Sequence, residues 1–350
     1  MFVKLLVVAP NWIGDGLMAQ PLLRRLHSTC PDARLTVLAR PHVAPVFRYM
    51  PEVEQVLVAP FSQGKLRWKE LRQLVCQHLQ AQHFDRAYVL PNSFKSALLP
   101  WLAGIPVRVG YVGEMRYGLL NQRLPNPDKN QPRPPMAEFY AALAGTPAQG
   151  DYFNSERPRL ILPEAEVQAA RQHFLGNSDA TPLIGFCPGA EYGPAKRYPV
   201  EQFAALARLF IRQYPHGKII CLGGPKDADL AQAIAQQSDL GAGHMLNTCG
   251  QTRLDQAMAL MKSLQAVVTN DSGLMHVAAA LDVPLVALYG STDPQHTPPY
   301  TPQASIATLA LDCSPCFARE CPLGHFRCMR DLAPERVYAL LEPLLSNHFQ

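Results

Sequence analysis

The chain has 350 residues, of which 48% are hydrophobic and 17% are charged, and its formal net charge at pH 7 is +4. This length favours two domains, and the apolar share is sufficient for two cores. Because the charge is mild and is not gathered into long runs, the sequence gives little support to a nucleic-acid-binding protein.

The N-terminal segment MFVKLLVVAPNWIGDG contains an apolar run that ends in a Gly/Asp turn. The run is too short to span a membrane and has no signal-peptide cleavage pattern, so we interpret it as a first buried strand. We expect a cytoplasmic protein. The 9 cysteines are too few for a disulfide scaffold in a chain of this size.

Short apolar runs alternate with amphipathic stretches along the first half. They predict strands at 3–9, 35–39, 53–59, 87–90 and 107–111, and helices at 17–27, 66–79 and 95–103. This alternation indicates an open parallel sheet with helices on both faces. The Pro-rich segment 124–135 predicts a long loop.

A second alternating series follows a polar linker at 176–182. It predicts strands at 183–187, 218–222, 245–247, 266–269 and 285–288, with helices between them and a last helix at 334–345. The predicted fold is therefore α/β, with two doubly wound, Rossmann-like domains that face each other across a cleft. We place the domains at 1–175 and 183–333, and we expect the C-terminal helix, 334–350, to pack back toward the first domain.

The first strand is followed by the turn Asn11-Trp-Ile-Gly-Asp-Gly16. Three interpretations of this turn are open. Asp15 is the N-cap of the next helix, or a general base at the end of the strand, or part of a G-x-G-x-x-A dinucleotide-binding turn at Gly14–Ala19. The last would make the protein an NADP-dependent oxidoreductase, although an acid inside the turn would repel a pyrophosphate.

A second polar turn, Asn270-Asp-Ser-Gly-Leu-Met-His276, joins a predicted strand to a helix. Ser272 and Gly273 offer backbone N–H groups at a helix N-terminus, where an anion is favoured, and His276 lies one turn further on. The turn is a candidate diphosphate site, and Asp271 is a candidate ligand of a hydroxyl group or of a neighbouring donor. The alternative is a capped helix with a buried histidine.

Two further loops follow strands of the second half. The loop from Gly189 ends in Lys196 and Arg197, which would supply cations to a diphosphate or form an ordinary basic turn. After the next strand, Asp227 is a candidate ligand of ribose hydroxyls or a helix cap.

Several segments resemble the ADP-heptose:lipopolysaccharide heptosyltransferases of glycosyltransferase family nine. They are NWIGDGLMAQPLLRRL, KRYP at Lys196–Pro199, TNDSGLMHVAAALDVPLVALYGSTDP, and CSPCFARECPLGH, the last being similar to the heptosyltransferase II branch. The resemblance covers nearly the whole chain.

This resemblance implies a GT-B fold, an acceptor-binding first domain and a nucleotide-sugar-binding second domain. It implies inverting transfer of L-glycero-D-manno-heptose from ADP-heptose to the first heptose on Kdo-lipid A, or, in the other branch, to Kdo-lipid A itself. By similarity, Asp15 is the catalytic base, Lys196 is the diphosphate-binding lysine, and Asp227 is a donor contact. Arg197, next to Lys196, is a further candidate cation for the diphosphate. Asp271, Ser272, Gly273 and His276 match the donor-binding turn.

The same resemblance implies no metal and no cofactor, and a protein peripheral to the inner membrane of a Gram-negative cell. Basic residues of the first half are candidates to meet the phosphates and acidic sugars of the acceptor: Arg24, Arg25, Arg40, Arg48, Lys65, Arg67, Lys69, Lys95, Arg108 and Arg116.

Four cysteines, Cys313, Cys316, Cys321 and Cys328, cluster near His325. Only the first pair has the spacing of a zinc site. A metal site, a redox pair and a loop of thiols remain open. We expect the other five cysteines to be core residues.

Overall fold

A computed structural model describes residues 2–59, 68–128, 133–145, 157–178, 181–241 and 243–346 of the chain. The chain forms two compact units, Met1–Ile161 and Leu162–Gln350. Each unit is an α/β domain built on one parallel sheet. No helix in the described ranges combines the length and the apolar character needed to cross a bilayer.

The first unit contains a 6-stranded sheet in the order β3-β2-β1-β4-β5-β6. Its strands are β1 Lys4–Val8, β2 Arg34–Ala39, β3 Gln55–Val58, β4 Arg86–Val89, β5 Val107–Tyr111 and β6 Gln122–Leu124. Its helices are α1 Ile13–Met18, α2 Gln20–Thr29, α3 Ala44–Arg48, α4 Trp68–Leu74, α5 Phe94–Leu102 and α6 Met136–Ala141. β1 reads KLLVV and is buried after its first residue, as expected for a strand covered on both faces.

The second unit repeats this plan with a 6-stranded sheet in the order β12-β11-β10-β7-β8-β9. Its strands are β7 Leu183–Cys187, β8 Lys218–Cys221, β9 Met245–Asn247, β10 Ala266–Asn270, β11 Leu285–Tyr289 and β12 Ala304–Thr308. Its helices are α7 Glu164–Leu175, α8 Val200–Gln213, α9 Ala228–Ser238, α10 Leu254–Lys262, α11 Gly273–Ala280, α12 Arg327–Arg330 and α13 Pro334–Ser346.

Helix α8 shows how sequence spacing positions these elements. Its buried apolar residues, Phe203, Leu206, Ala207, Phe210 and Ile211, recur three or four positions apart and so form one stripe. This stripe belongs to the core of the second unit, together with the buried side chains of the central strands.

Counted within its own unit, each sheet has the strand order 3-2-1-4-5-6, and neighbouring strands pair in parallel. This order is that of a Rossmann fold, so the predicted pair of doubly wound domains is confirmed. In such a sheet, ligands bind beyond the carboxyl ends of the strands, where the order reverses between the first and fourth strands. The reversal lies between β1 and β4 in one unit and between β7 and β10 in the other.

The boundary between the units differs from the predicted one. Helix α7, which the sequence analysis assigns to the first domain, packs on α10 and lies in the second unit. The C-terminal helix α13 packs on α8 and on strands β10 to β12 of its own unit, where Leu341 and Leu345 are fully buried. Residues 347–350 of the predicted C-terminal helix, and parts of the predicted loop and linker at 129–132 and 179–180, lie outside the described residues.

A buried arginine organises the carboxyl edge of the first sheet. The guanidinium of Arg116 donates to the carbonyl oxygens of Pro91 at 2.9 Å and Gly113 at 3.3 Å, and also to the Asn92 side chain and the Tyr111 carbonyl. Burial lowers the pKa of Arg116 from its ordinary value. One side chain thus ties the segment after β4 to the segment after β5.

We predict that Arg116→Leu lowers the free energy of unfolding of the first unit by about 2–4 kcal/mol, because several buried oxygens lose their donor. Urea unfolding followed by tryptophan fluorescence measures this directly, since Trp12, Trp68 and Trp101 all lie in the first unit. The matched control, Arg72→Leu on the exposed surface of α4, should change the value by less than about 0.5 kcal/mol. Equal unfolding curves for the two variants would contradict the assignment.

Candidate functional site

Polar loops of the second unit meet at the carboxyl ends of four adjacent strands, β8, β7, β10 and β11. At their centre, Lys196 Nζ lies 2.6 Å from Asp271 Oδ2. Lys196 follows β7 and Asp271 follows β10, so this ion pair spans the point where the strand order reverses. Both side chains are largely buried, with 14% and 4% of their surfaces exposed, so the pair is shielded from solvent screening.

The other contacts of this pair hold its charges in place. Thr292, after β11, donates its hydroxyl to Asp271 Oδ2 at 2.5 Å. The Lys196 ammonium lies 5.0 Å from the centre of the Tyr192 ring, within the range of a cation–π contact. The ion pair and its two contacts therefore bring together the loops after β7, β10 and β11.

The Asn270 side chain also holds the turn that carries Asp271. Its side chain accepts from the Tyr198 N–H at 3.0 Å and donates to the Pro188 carbonyl at 2.7 Å. The residue is fully buried. These two bonds join the end of β10 to both ends of the loop that carries Lys196.

Helix α11 begins directly after Ser272, which is its N-cap residue, and Gly273 is its first residue. The first-turn N–H groups of a helix have no partner within the helix and favour an anion. Of the predicted residues, Lys196, Asp271, Ser272, Gly273 and His276 thus lie together around one helix N-terminus.

His276 is buried and neutral. Burial, and to a smaller extent the charge of Lys196, lower its pKa to about 4, although Asp271 opposes the shift. The His276 imidazole therefore adds no positive charge to this site at neutral pH.

Asp227 follows β8, and Arg197, in the loop after β7, is close enough to influence its charge. Asp227 Oδ2 accepts from the Gly224 N–H at 2.9 Å, so the carboxylate caps the turn that starts α9. Burial raises the pKa of Asp227, while Arg197 is among the groups that lower it. Arg197 itself donates to the Ala190 carbonyl at 3.4 Å.

Two glycines make room for Asp227. A Cβ atom at Gly189 would lie 2.4 Å from the Asp227 carboxyl, and one at Gly223 would lie 2.8 Å from the Asp227 Cβ. The loops after β7 and β8 therefore pack directly against this side chain.

Asp15 lies in the first unit, in the first turn of α1. The N-cap residue is Trp12, so the interpretation of Asp15 as the N-cap is wrong. Tyr140 of α6 is near: its pKa is raised well above the ordinary value by burial, and then by the charges of Asp15 and Tyr111. Gly16 packs closely on Val43, because a Cβ atom at position 16 would lie 3.0 Å from the Val43 side chain.

The segment with the four clustered cysteines supports the Lys196 loop. Phe317 and Arg319 accept hydrogen bonds at their carbonyls from the Tyr192 hydroxyl at 2.7 Å and the Ala195 N–H at 3.0 Å. The Arg319 guanidinium also lies 5.2 Å from the centre of the Tyr192 ring. This segment therefore fixes the shape of the loop on which Lys196 stands.

The four cysteines line one cavity of about 20 Å³ together with His325, and all 9 cysteines are free thiols. Backbone N–H groups, first that of Phe326 at 3.4 Å, lower the pKa of Cys321. Within the described ranges, no group of three or more His, Cys, Asp or Glu side chains is arranged to hold a metal ion. Cys30 and Cys76 are exposed, so the prediction that they are core residues is wrong.

Several arginines predicted to meet an acceptor have structural partners instead. Arg24 pairs with Glu52 at 3.1 Å, Arg25 is buried, and Arg108 donates to the Leu119 carbonyl at 2.6 Å. Arg116 is the buried arginine described above. Of the other candidates, Lys65 and Arg67 lie outside the described residues, and Arg48, Lys69 and Lys95 are exposed.

We predict that His276 makes the second unit less stable in acid. Its folded pKa of about 4 lies below the unfolded value near 6.5, so its contribution is complete above about pH 6.5 and falls as the pH falls toward 4. Between pH 7 and pH 4.5 the wild type should lose roughly 2–3 kcal/mol more than His276→Gln. Chemical denaturation followed by circular dichroism measures both, and parallel pH profiles would refute the prediction.

Comparison with known proteins gives the family. Residues 72–327 match the family Glycosyltransferase family 9 (heptosyltransferase). The chain is 40% identical to lipopolysaccharide heptosyltransferase 2 of Salmonella typhimurium over 99% of each chain. It is also 40% identical to the Escherichia coli K12 protein of that name, covering 98% of this chain and 99% of that one. The structure of E. coli ADP-heptose lps heptosyltransferase II superimposes with a TM-score of 0.84 and 38% identity, covering 99% of this chain and 100% of that chain. The chain therefore belongs to glycosyltransferase family 9, and it is a glycosyltransferase with the GT-B fold.

Proposed function

We propose that this glycosyltransferase transfers L-glycero-D-manno-heptose from ADP-heptose to the first heptose of the lipopolysaccharide inner core, with inversion at the anomeric carbon. The observation that carries this proposal is the similarity, from end to end, to proteins named lipopolysaccharide heptosyltransferase 2. The geometry of the second unit supports a diphosphate donor, and the first unit supplies the Asp15 carboxylate, in the first turn of the helix that follows its first strand.

We assign the donor diphosphate to the N-terminus of α11 and to Lys196. An ammonium group has three N–H donors, and the contact with Asp271 uses one of them. The others are available to phosphate oxygens, while Asp271 fixes the direction of the ammonium. Arg197 adds charge nearby, and Asp227 is placed to accept from ribose hydroxyls through the carboxylate oxygen that does not cap α9.

Transfer then proceeds by a single displacement. The acceptor hydroxyl oxygen forms a bond to the anomeric carbon as the bond from that carbon to the diphosphate oxygen breaks. The hydroxyl proton passes to the Asp15 carboxylate, and the bonding electrons leave with ADP. Lys196 and the N–H groups at Ser272 and Gly273 stabilise the charge that develops on the diphosphate. These fixed groups perform the part that a metal ion has in other transferases, so we propose that no metal and no cofactor is required.

The acceptor is a lipid-linked saccharide, so we propose that the enzyme works at the cytoplasmic face of the inner membrane as a peripheral protein. In this proposal the first unit binds the acceptor and the second binds the nucleotide sugar. Tyr140, beside Asp15, is a further candidate to position the acceptor hydroxyl.

The oxidoreductase alternative is not supported. Its G-x-G-x-x-A turn uses Gly16 to pack α1 on Val43 rather than to admit a pyrophosphate, and the family is one of transferases. ADP should bind, and NADPH should not bind more tightly than ADP.

The acceptor test separates the two heptosyltransferase reactions. We expect the enzyme to consume ADP-heptose with a one-heptose Kdo-lipid A acceptor and to leave Kdo-lipid A without heptose largely unused. Mass spectrometry of the products measures this, with a reaction lacking acceptor as the control. Preferential transfer to the heptose-free acceptor would replace the proposed reaction with that of the other branch.

We predict that Asp15→Asn keeps the fold and the donor affinity but lowers kcat by about 10²–10⁴-fold, the range expected for loss of a general base. The amide has the shape of the carboxylate but does not accept the proton. Steady-state kinetics with a saturating one-heptose acceptor, and ADP binding by calorimetry, test the two halves of the statement. A kcat within threefold of wild type would exclude Asp15 as the base.

A further inference from the structure

We infer that the first unit carries a bilayer-docking patch formed by Phe94, Met115 and Tyr117, with Lys95 and Arg123 at its margin. Its occupant is the surface of an anionic phospholipid bilayer. The inference rests on the proposed function, since an enzyme that modifies a lipid-linked acceptor has to reach that acceptor at a membrane.

Two contacts tie the loop after β5 to its neighbouring segments. The Phe94 N–H donates to Glu114 Oε2 at 2.9 Å, which places the start of α5 against the loop after β5. Arg123 donates to the Tyr117 carbonyl at 3.0 Å, and its guanidinium lies 5.1 Å from the centre of the Tyr117 ring. Met115 follows Glu114 directly and lies two residues before Tyr117, in the same loop. We take the exposed side chains of Phe94, Met115 and Tyr117 as one patch.

The patch exposes large apolar side chains. The exposed fractions are 44% for Phe94, 83% for Met115 and 62% for Tyr117. Glu114 and Met115 have φ values of 37° and 52°, in the left-handed region that side chains other than glycine seldom adopt. Backbone strain of this kind persists where the surroundings impose it, and it is concentrated at functional segments.

The Arg116 side chain holds this loop in place. Buried between Met115 and Tyr117, it holds the carbonyls of Pro91, Tyr111 and Gly113 and the side chain of Asn92. With Arg116 fixed inward, its two neighbours in the chain are held outward. The loop therefore keeps Met115 in solvent instead of letting it fold back onto the protein.

The charges around the patch favour an anionic surface. Lys95 and Arg123 are exposed, and the two cations outnumber the one nearby carboxylate, Glu114, which is also exposed and accepts from the Phe94 N–H. Aromatic side chains with flanking Lys and Arg are typical of the membrane–water interface. Trp12, 46% exposed after the neighbouring strand β1, extends the aromatic surface along the same edge of the sheet.

The second unit differs in where its large apolar side chains are exposed. In the ranges of that unit that the structure describes, the large exposed apolar side chains are Ile306, within β12, and Leu323, in the cysteine segment. Neither follows the carboxyl end of a central strand. In the described ranges, exposed large apolar side chains at the carboxyl ends of central strands therefore occur in the unit that carries Asp15.

The test uses the full-length protein and vesicles without acceptor, of phosphatidylethanolamine and phosphatidylglycerol. Co-sedimentation should show wild-type binding, and Met115→Ser/Tyr117→Ser should weaken it by at least about tenfold, since burial of each apolar side chain stabilises the bound state. The control, Ile161→Ser, removes an apolar side chain of similar exposure, 64%, elsewhere in the unit and should bind as wild type. Loss of binding in the control, or none in the double variant, would overturn the inference.

Kinetics provide the second measurement. The double variant should raise the KM for a vesicle-embedded acceptor at least about tenfold and leave the KM for a deacylated, water-soluble acceptor unchanged. An equal rise for both would assign the patch to the saccharide and exclude the bilayer. Because sedimentation needs no transfer, failure of the proposed reaction would appear separately, as wild-type protein that binds vesicles but transfers no heptose.

Discussion

The ion pair between Lys196 and Asp271 is the contact on which the proposed donor site depends. It joins the loop after β7 to the turn after β10, and these strands are neighbours in the sheet although about 80 residues separate them in the chain. A lysine is a flexible, strongly hydrated cation, and its position is well defined only when a partner holds it. Asp271 provides this partner, and Thr292 and Asn270 hold the turn on which Asp271 stands. We therefore propose that Asp271 positions the cation rather than binding the sugar.

The two units share one strand order, but different residues lie at the carboxyl edges of their sheets. In both, the strand order reverses between the first and fourth strands, so each sheet presents its loops at an equivalent place. The second unit fills that place with a buried ion pair, a helix N-terminus and a neutral histidine, which suit a charged diphosphate. The first unit has a carboxylate, a buried arginine and exposed aromatic side chains, which suit an amphipathic acceptor. The same backbone thus provides two different chemical surfaces.

Much of this was predictable from the sequence. Parallel strands buried on both faces are continuous apolar runs, so the central strands of both sheets were predictable. The edge strands β6 and β12 were not, because QRL is short and polar and ASIAT is only partly buried. The boundary was misplaced because α7 follows the first domain in the chain but packs on α10.

The residues of the candidate site were predictable from the sequence, but the contacts between them were not. Glycines and polar residues at strand ends identify the loops, but pairing between distant residues, such as Lys196 with Asp271, has no local signal. The turn after β11 could have suggested Thr292, since it is polar and ends a strand next to β10. Nothing near Asp15 indicates Tyr140, and nothing distinguishes Arg116 as buried among the other arginines.

The close packing at Gly189 has a consequence for exchanging loops between related enzymes. Because that glycine and Gly223 leave the space that the Asp227 side chain occupies, the loops after β7 and β8 pack closely around one side chain. A graft that replaces the loop after β7 with one lacking glycine at this position would displace Asp227 without altering it. Chimaeras designed to change nucleotide preference therefore need the loops after β7 and β8 to be transplanted as a single unit.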